Sequence, residues 1–133
     1  MKVMVGVGCD RDVAFATLQE GVSLGLQQAG LTEDAVVGLA TIDQKNDEVA
    51  VLELAAVKGW PLFFFNAAQL SQVPVPNPSE TVRRYMGTPA VSEAAALLAA
   101  GVGLEGLILE KFKHRGADRK HATVSIALMK RIE

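Results

Sequence analysis

From its first residues the chain alternates short apolar runs with segments whose apolar positions recur at helical spacing. "KVMVGVG" places Val3, Val5 and Val7 in an apolar, β-branched stretch, the pattern of a strand covered on both faces. The period then changes. Ala14, Leu18, Val22, Gly25 and Ala29 fall on one side of a helix, Gln19, Ser23 and Gln27 on the other, and Gly30 is placed to end it. "AVVGLATI" (residues 35–42) reads as a second buried strand, a helix follows over about residues 46–57, and "WPLFFF" (60–65) reads as a third strand. A β-α-β-α-β beginning requires right-handed crossovers, and therefore a parallel core of strands with helices packed over it.

The second half is punctuated by capping signals. Asn66 with Gln69 three residues on has the form of a capping box, and Asn77-Pro78 with Glu80 offers an N-cap, a Pro at the first helical position and an acid in the first turn. Thr88-Pro89 repeats the device before the helix "AVSEAAALLAA", which stops at Gly101. "VPVPNP" (73–78) must be extended, because each Pro fixes its own φ and biases the residue before it. "GLILE" and "ATVSIALM" supply two more strands, able to pair antiparallel across an unstructured basic connection. The expected fold is α/β: a three-layer α/β/α sandwich with a mixed, mostly parallel sheet of about five strands. With 133 residues, half of them apolar, the chain suits one domain spanning 1–133.

Composition removes several function classes. One cysteine excludes an internal disulfide framework and a cysteine-rich zinc site, and the two histidines share one short window, so no metal site is expected. No secretory signal or apolar run of about 18 residues is present, which points to a cytoplasmic location away from membranes. The window "KFKHRGADRKH" (111–121) carries +4, leaving −6 for the remainder. It reads either as a mobile basic arm that meets an anionic partner or as a solvated hairpin connection. Nucleic acid is not an expected partner, because there is no basic face beyond this window and only seven aromatic residues.

Gly6-Val7-Gly8 at the end of the first strand opens the question of a phosphate loop. A dinucleotide fingerprint wants a third glycine where Arg11 stands, and an acid about 20 residues on, whereas Asp43 comes too late. The glycines either leave N–H groups free for an anion at a helix start, with Gly8 and Arg11 as binding candidates, or serve tight turning and packing. Cys9 is either a thiolate nucleophile favoured by a helix start and Arg11, or a small half-buried apolar residue. Thr41, Asp43 and Lys45 follow the second strand and are candidates for a polar ligand, although Asp43 or Asn46 equally serves as a helix cap. Thr88 and Ser92 carry the same ambiguity. Cys9 and Asp43 are the catalytic candidates.

"GVGC", "TIDQKNDE", "FFFNAAQL", "VPNPSETV" and "GTPAVSEAAALLAAG" occur in an order and spacing that resembles the CobE family and the C-terminal domain of CbiG, proteins of cobalamin biosynthesis. The resemblance runs from about residue 3 to residue 128 and looks like a stand-alone CobE-type protein. It implies work at the stage where a tetrapyrrole contracts to a corrin; CbiG opens the δ-lactone of cobalt-precorrin-5A and releases acetaldehyde. The implied ligand is a precorrin or cobalt-precorrin, with no intrinsic cofactor. Its acetate and propionate groups suit Lys45 and the Lys111, Lys113, Arg115 and Arg119 cations. Where a basic residue commonly follows the family's cysteine, Asp10 intervenes before Arg11. Three functions are compatible: a protein that binds or hands on a precorrin, a precorrin lactone hydrolase, and a non-catalytic partner for other pathway enzymes.

Overall fold

The computed structural model describes residues 1–76 and 91–129. The caps expected at Asn77-Pro78 with Glu80 and at Thr88-Pro89, and Thr88 as a ligand candidate, lie outside the described residues. In chain order the elements are β1 (Val3–Cys9), α1 (Phe15–Gln28), β2 (Val36–Ile42), α2 (Val49–Lys58) and β3 (Leu62–Phe65), followed by α3 (Ala67–Ser71), α4 (Val91–Ala100), β4 (Leu107–Arg115) and β5 (His121–Leu128). The sheet has five strands in the order β3-β2-β1-β5-β4. β1 pairs parallel with β2, and β2 with β3, whereas β5 runs antiparallel to both β1 and β4. Four strands therefore share one direction, and β5 is the exception inserted among them.

Both faces of the sheet are covered, as the unbroken apolar strands require. Val3, Val5 and Val7 of β1 pack with Leu39, Val124 and Ile126 under α1 and α2, through Leu18, Val22, Val51 and Leu54. The alternate residues face the other way: Met4 and Ala127 meet Ala96, Leu97 and Ala100 of α4, while Ala40 and Ile42 meet Ala94, Ala95 and Leu70. This is the expected three-layer sandwich.

Local signals act where local residues make them. Gly30 ends α1 at φ 73°, with the Leu31 N–H on the Leu26 carbonyl at 2.8 Å, and Gly101 ends α4 at φ 71°. The Asn66 side chain accepts the Gln69 N–H at 2.7 Å, and the Gln69 side chain accepts the Asn66 N–H at 2.8 Å, completing the capping box of α3. α2 starts later than expected, because Asp43–Lys45 forms a separate 3-10 turn. Neither Asp43 nor Asn46 caps it; Glu48 stands at its N-cap without a side-chain cap bond.

The unstructured basic connection is corrected. β4 continues through Arg115 and β5 begins at His121, so most of the basic window is strand, and only residues 116–120 form the turn. Lys113 pairs opposite Thr123 and His114 opposite Ala122, and this cross-strand pairing is why the segment is ordered.

Candidate functional site

The chain leaves β1 towards β2 and β3 beneath α1 and α2, then returns over the opposite face through α4 to β4 on the far side of β1. Strand order reverses beside the C-terminal end of β1, which in open α/β sheets is the crevice where ligands sit. The loops gathered there are fastened to one another. Asp118, at the tip of the β4–β5 hairpin, accepts the Ala14 N–H at 2.8 Å and the Thr17 hydroxyl at 2.7 Å, together with the Lys120 N–H at 3.1 Å. These donors hold its carboxyl below the usual carboxylate range, the Ala14 N–H contributing most. Lys120 Nζ donates to the Arg11 carbonyl at 2.7 Å, and the His121 N–H donates to Asp10 Oδ2 at 2.8 Å. The start of α1, which the sequence offers to a ligand anion, is thus occupied by the chain's own carboxylate.

Arg11 is engaged as well. Its guanidinium reaches Asp47 Oδ1 at 2.8 Å, the Gln44 carbonyl at 2.9 Å and Glu48 Oε1 at 3.1 Å. Glu48, only 2% exposed, accepts the Asp12 N–H at 2.9 Å through its other oxygen. This bonding ties the loop after β1 to the loop after β2. Cys9 does not stand at a helix start, since α1 begins six residues later, and it packs half-buried against the core under α1. Burial pushes its thiol up to about 11, against the smaller opposing effect of the Lys45 charge. A favoured thiolate is therefore not what this position provides. Thr41 is fully buried, and its hydroxyl donates to the Val7 carbonyl at 2.7 Å. Asp43 is exposed and Lys45 half-exposed in the 3-10 turn.

A second group converges on the α4 face. A Cβ at Gly6 would strike the Ser92 carbonyl and approach Ala96 N to 2.7 Å, so α4 lies directly on β1 there. At Gly8, two residues further along the same face, a Cβ would meet no described atom within 4 Å. The helix covers the strand as far as Gly6 and leaves a shelf at Gly8. Thr123 stands opposite Gly8, and Lys113 opposite Thr123, so both side chains share that face. Ser92 borders the inner side, its hydroxyl 2.9 Å from that of Ser125. Next to it Glu93 is fully buried. Burial raises its pKa, opposed by the charge of Lys111 on β4 and by a hydrogen bond with the Lys111 backbone, and reinforced by Glu110.

Of the residues singled out in the sequence, Gly8, Ser92, Lys111 and Lys113 come together on this face. Cys9, Arg11, Thr41, Asp43 and Lys45 lie towards α1 and the loop after β2. Glu93, Thr123, Glu48 and Asp118 were not singled out. The signal for Glu93 is its position as the one charge in "VSEAAALLAA". Among the described residues no three His, Cys, Asp or Glu side chains converge to hold a metal ion. A groove of about 510 Å³, lined by Gln69, Val73, Leu97, Leu98 and Glu105, lies at the opposite end of α4, away from these residues.

The family model described as the cobalamin synthesis G C-terminus matches residues 3–127. This chain belongs to that family. A cobalt-precorrin-5A hydrolase of Priestia megaterium is 30% identical over 125 residues, which are 94% of this chain and 32% of the hydrolase. The chain thus spans about a third of that relative's length. Protein CobE of a Sinorhizobium species is 32% identical over 94% of this chain and 79% of its own. The crystal structure of CobE, a protein from the cobalamin (vitamin B12) biosynthetic pathway, superimposes with a TM-score of 0.77 at 30% identity, covering 98% of this chain and 93% of that one. Membership places the chain in a family of cobalamin biosynthesis and accounts for the mixed five-stranded sheet. No helix among the described residues is long and apolar enough to cross a membrane.

Proposed function

We propose that this chain binds a precorrin-type tetrapyrrole over the open shelf at Gly8 and works in the cytoplasm at the ring-contraction stage of corrin synthesis. The observation that carries the reading is the backbone at Gly8, over which no described residue lies within 4 Å of a Cβ position, in the crevice where strand order reverses, with Lys113 and Thr123 on the same face. A flat macrocycle needs a surface without side chains projecting into it, and a glycine at the end of β1 supplies one. Its acetate and propionate groups need cations at the rim, and exposed Lys113, Arg115 and Arg119 stand along the hairpin that borders the shelf. Because the hairpin is fastened by Asp118, these cations are placed before the ligand arrives, which lowers the ordering cost of binding. The ligand is substrate or cargo, and no resident cofactor is invoked.

The test is a spectroscopic titration of the full chain with cobyrinic acid, a corrin whose side chains are free carboxylates, and with cobalt-precorrin-5A. A saturable shift that Gly8→Leu abolishes without loss of fold supports the reading. A shift unaffected by Gly8→Leu moves the ligand elsewhere, and no shift with either compound overturns the reading.

Hydrolysis of a precorrin lactone is the second reading. It is favoured by one observation, the Glu93 carboxyl next in the chain to Ser92, which is buried and has its pKa raised by that burial.

A further inference from the structure

Of the two edges of the sheet, one is protected against pairing with another strand and the other is not. β4, at one edge, has five ionisable residues among its nine, Glu110, Lys111, Lys113, His114 and Arg115, and its register with β5 shifts twice. Charges and irregularities of this kind keep an open edge from accepting another strand. β3, at the other edge, is Leu62-Phe63-Phe64-Phe65, with no charge and no register shift. In a parallel ladder alternate residues of a strand turn their N–H and C=O groups to the same neighbour. The Pro61 carbonyl accepts the Leu39 N–H at 2.9 Å, so Pro61 and Phe63 face β2, while Leu62 and Phe64 turn their backbone groups outward. Pro61 therefore removes no outward donor from this edge.

The side chains around the edge are apolar as well. Phe63 and Phe64 are exposed on opposite faces of the sheet. α2 joins β2 to β3 and is the helix laid over them, and its exposed positions Val49, Leu52, Glu53, Ala56 and Val57 include a single charge, where an outer helix face is ordinarily polar. An open aromatic side chain offers about 150–250 Å² and an aliphatic one less, so exposures of 36–69% at Val49, Leu52, Val57, Phe63 and Phe64 leave on the order of 400 Å² of apolar surface. Interfaces are about 56–65% apolar, which makes this the apolar share of roughly 700 Å² per copy, close to the about 800 Å² that a stable association buries on each side.

We propose that two copies of this chain associate through β3, which pairs antiparallel with β3 of the second copy across a two-fold axis beside Phe63 and joins the two sheets into one. The outward residues set the register. Leu62 exchanges backbone hydrogen bonds with Phe64 of the second copy, and Phe64 with its Leu62, while the two Phe63 side chains stand opposite each other at the axis as a pair without hydrogen bonds. A second copy is the occupant that fits, because a two-fold contact sets a patch against itself and β3 brings no charge to oppose its own kind. The same operation at β4 would set its charged residues against a second charged row. β3 lies two strands away from β1, so the association leaves the Gly8 shelf of each copy untouched.

The experiment is analytical ultracentrifugation of the full chain without ligand, over concentrations from about 1 to about 100 µM. Wild type should reach twice the 14.1 kDa mass of one chain. Phe63→Lys, which sets two ammonium groups opposite each other at the axis, should keep the mass of one chain throughout, with an unchanged circular dichroism spectrum. A wild type that stays at the mass of one chain overturns the proposal, and so does a dimer that folded Phe63→Lys leaves intact. The Phe63 ring lies close over Gly38, so the variant can lose its fold. In that case amide exchange of wild type decides: the Leu62 and Phe64 N–H groups should exchange more slowly as the concentration rises through the mass transition. Exchange at these two positions that does not change with concentration overturns the proposal. If fast, it puts the contact on another face; if slow in the single chain, it means that the chain covers its own edge.

Discussion

Asp118 and Thr17 are 101 positions apart in the chain and joined by a 2.7 Å hydrogen bond between carboxylate and hydroxyl. The same carboxylate takes the Ala14 N–H, so the hairpin tip caps the entry to α1 from outside the helix. Gly116 lies so close to Thr17 that a Cβ there would collide with that side chain. A ligand anion drawn to this helix start would have to displace Asp118 first.

Asp118→Asn should loosen the hairpin and make the protein's stability less dependent on acid. The folded-state pKa of Asp118 is depressed, so its stabilising effect is complete above the unfolded carboxylate value of about 3.9 and fades as pH falls through the lower folded value. Urea unfolding at a series of acidic pH values should show wild type and variant converging as pH drops. Amide exchange at Lys120 and His121 should be faster in the variant at neutral pH. Parallel pH curves would remove Asp118 from this role.

The two glycines of β1 should respond oppositely to alanine. At Gly6 the new methyl group meets the backbone of α4, which cannot turn aside, and the cost is about 3 kcal/mol. At Gly8 the methyl group meets no described atom, and stability should hold or rise by about 0.5 kcal/mol through a less flexible unfolded chain. Denaturant midpoints of the two variants measure the difference. Equal losses would mean that the shelf is filled.

Cys9 should behave as a packed apolar residue. With its thiol pushed up to about 11, its thiolate fraction at about pH 8 is on the order of a hundredfold below that of an ordinary cysteine. Alkylation by iodoacetamide should be slow in the folded protein and rapid after unfolding in urea. Cys9→Ala should leave tetrapyrrole binding and any conversion unchanged; abolished conversion with binding intact would restore a thiol mechanism.

Replacing Lys113, Arg115 and Arg119 together by Gln should weaken tetrapyrrole binding at least tenfold in dilute buffer. The difference should shrink as salt is raised, because the screening length falls from about 10 Å at 0.1 M to about 3 Å at 1 M. Isothermal titration with cobyrinic acid over that salt range is the measurement. A salt-independent loss would point to packing in place of charge.

What could be read along the chain was what neighbours within a few residues decide. Unbroken apolar strands demand a sheet covered on both sides, and Gly30, Gly101 and the Asn66–Gln69 pair set helix ends through bonds spanning three to five residues. The basic window hid its structure because alternation is obscured when half a strand is charged, and cross-strand partners such as Thr123 for Lys113 become apparent only once the two strands are aligned.

Of the candidate site, the residue types could be read along the chain but not their arrangement. Gly8 and Lys113 were visible as a strand end and a cation, but whether Arg11 faces a ligand or Asp47 depends on how the loop after β2 comes to lie beside the loop after β1. Glu93 shows the division most plainly. Its sequence makes it a single charge in an apolar helix, and helix geometry gives it neighbours three and four residues away. That it is buried beside β4 follows from the reversal of strand order that carries α4 across the sheet. Sequence by itself determined the elements and their buried faces, because those depend on residue type and local spacing. Only the tertiary structure decided which polar groups meet, because those distances are set by segments remote in the chain.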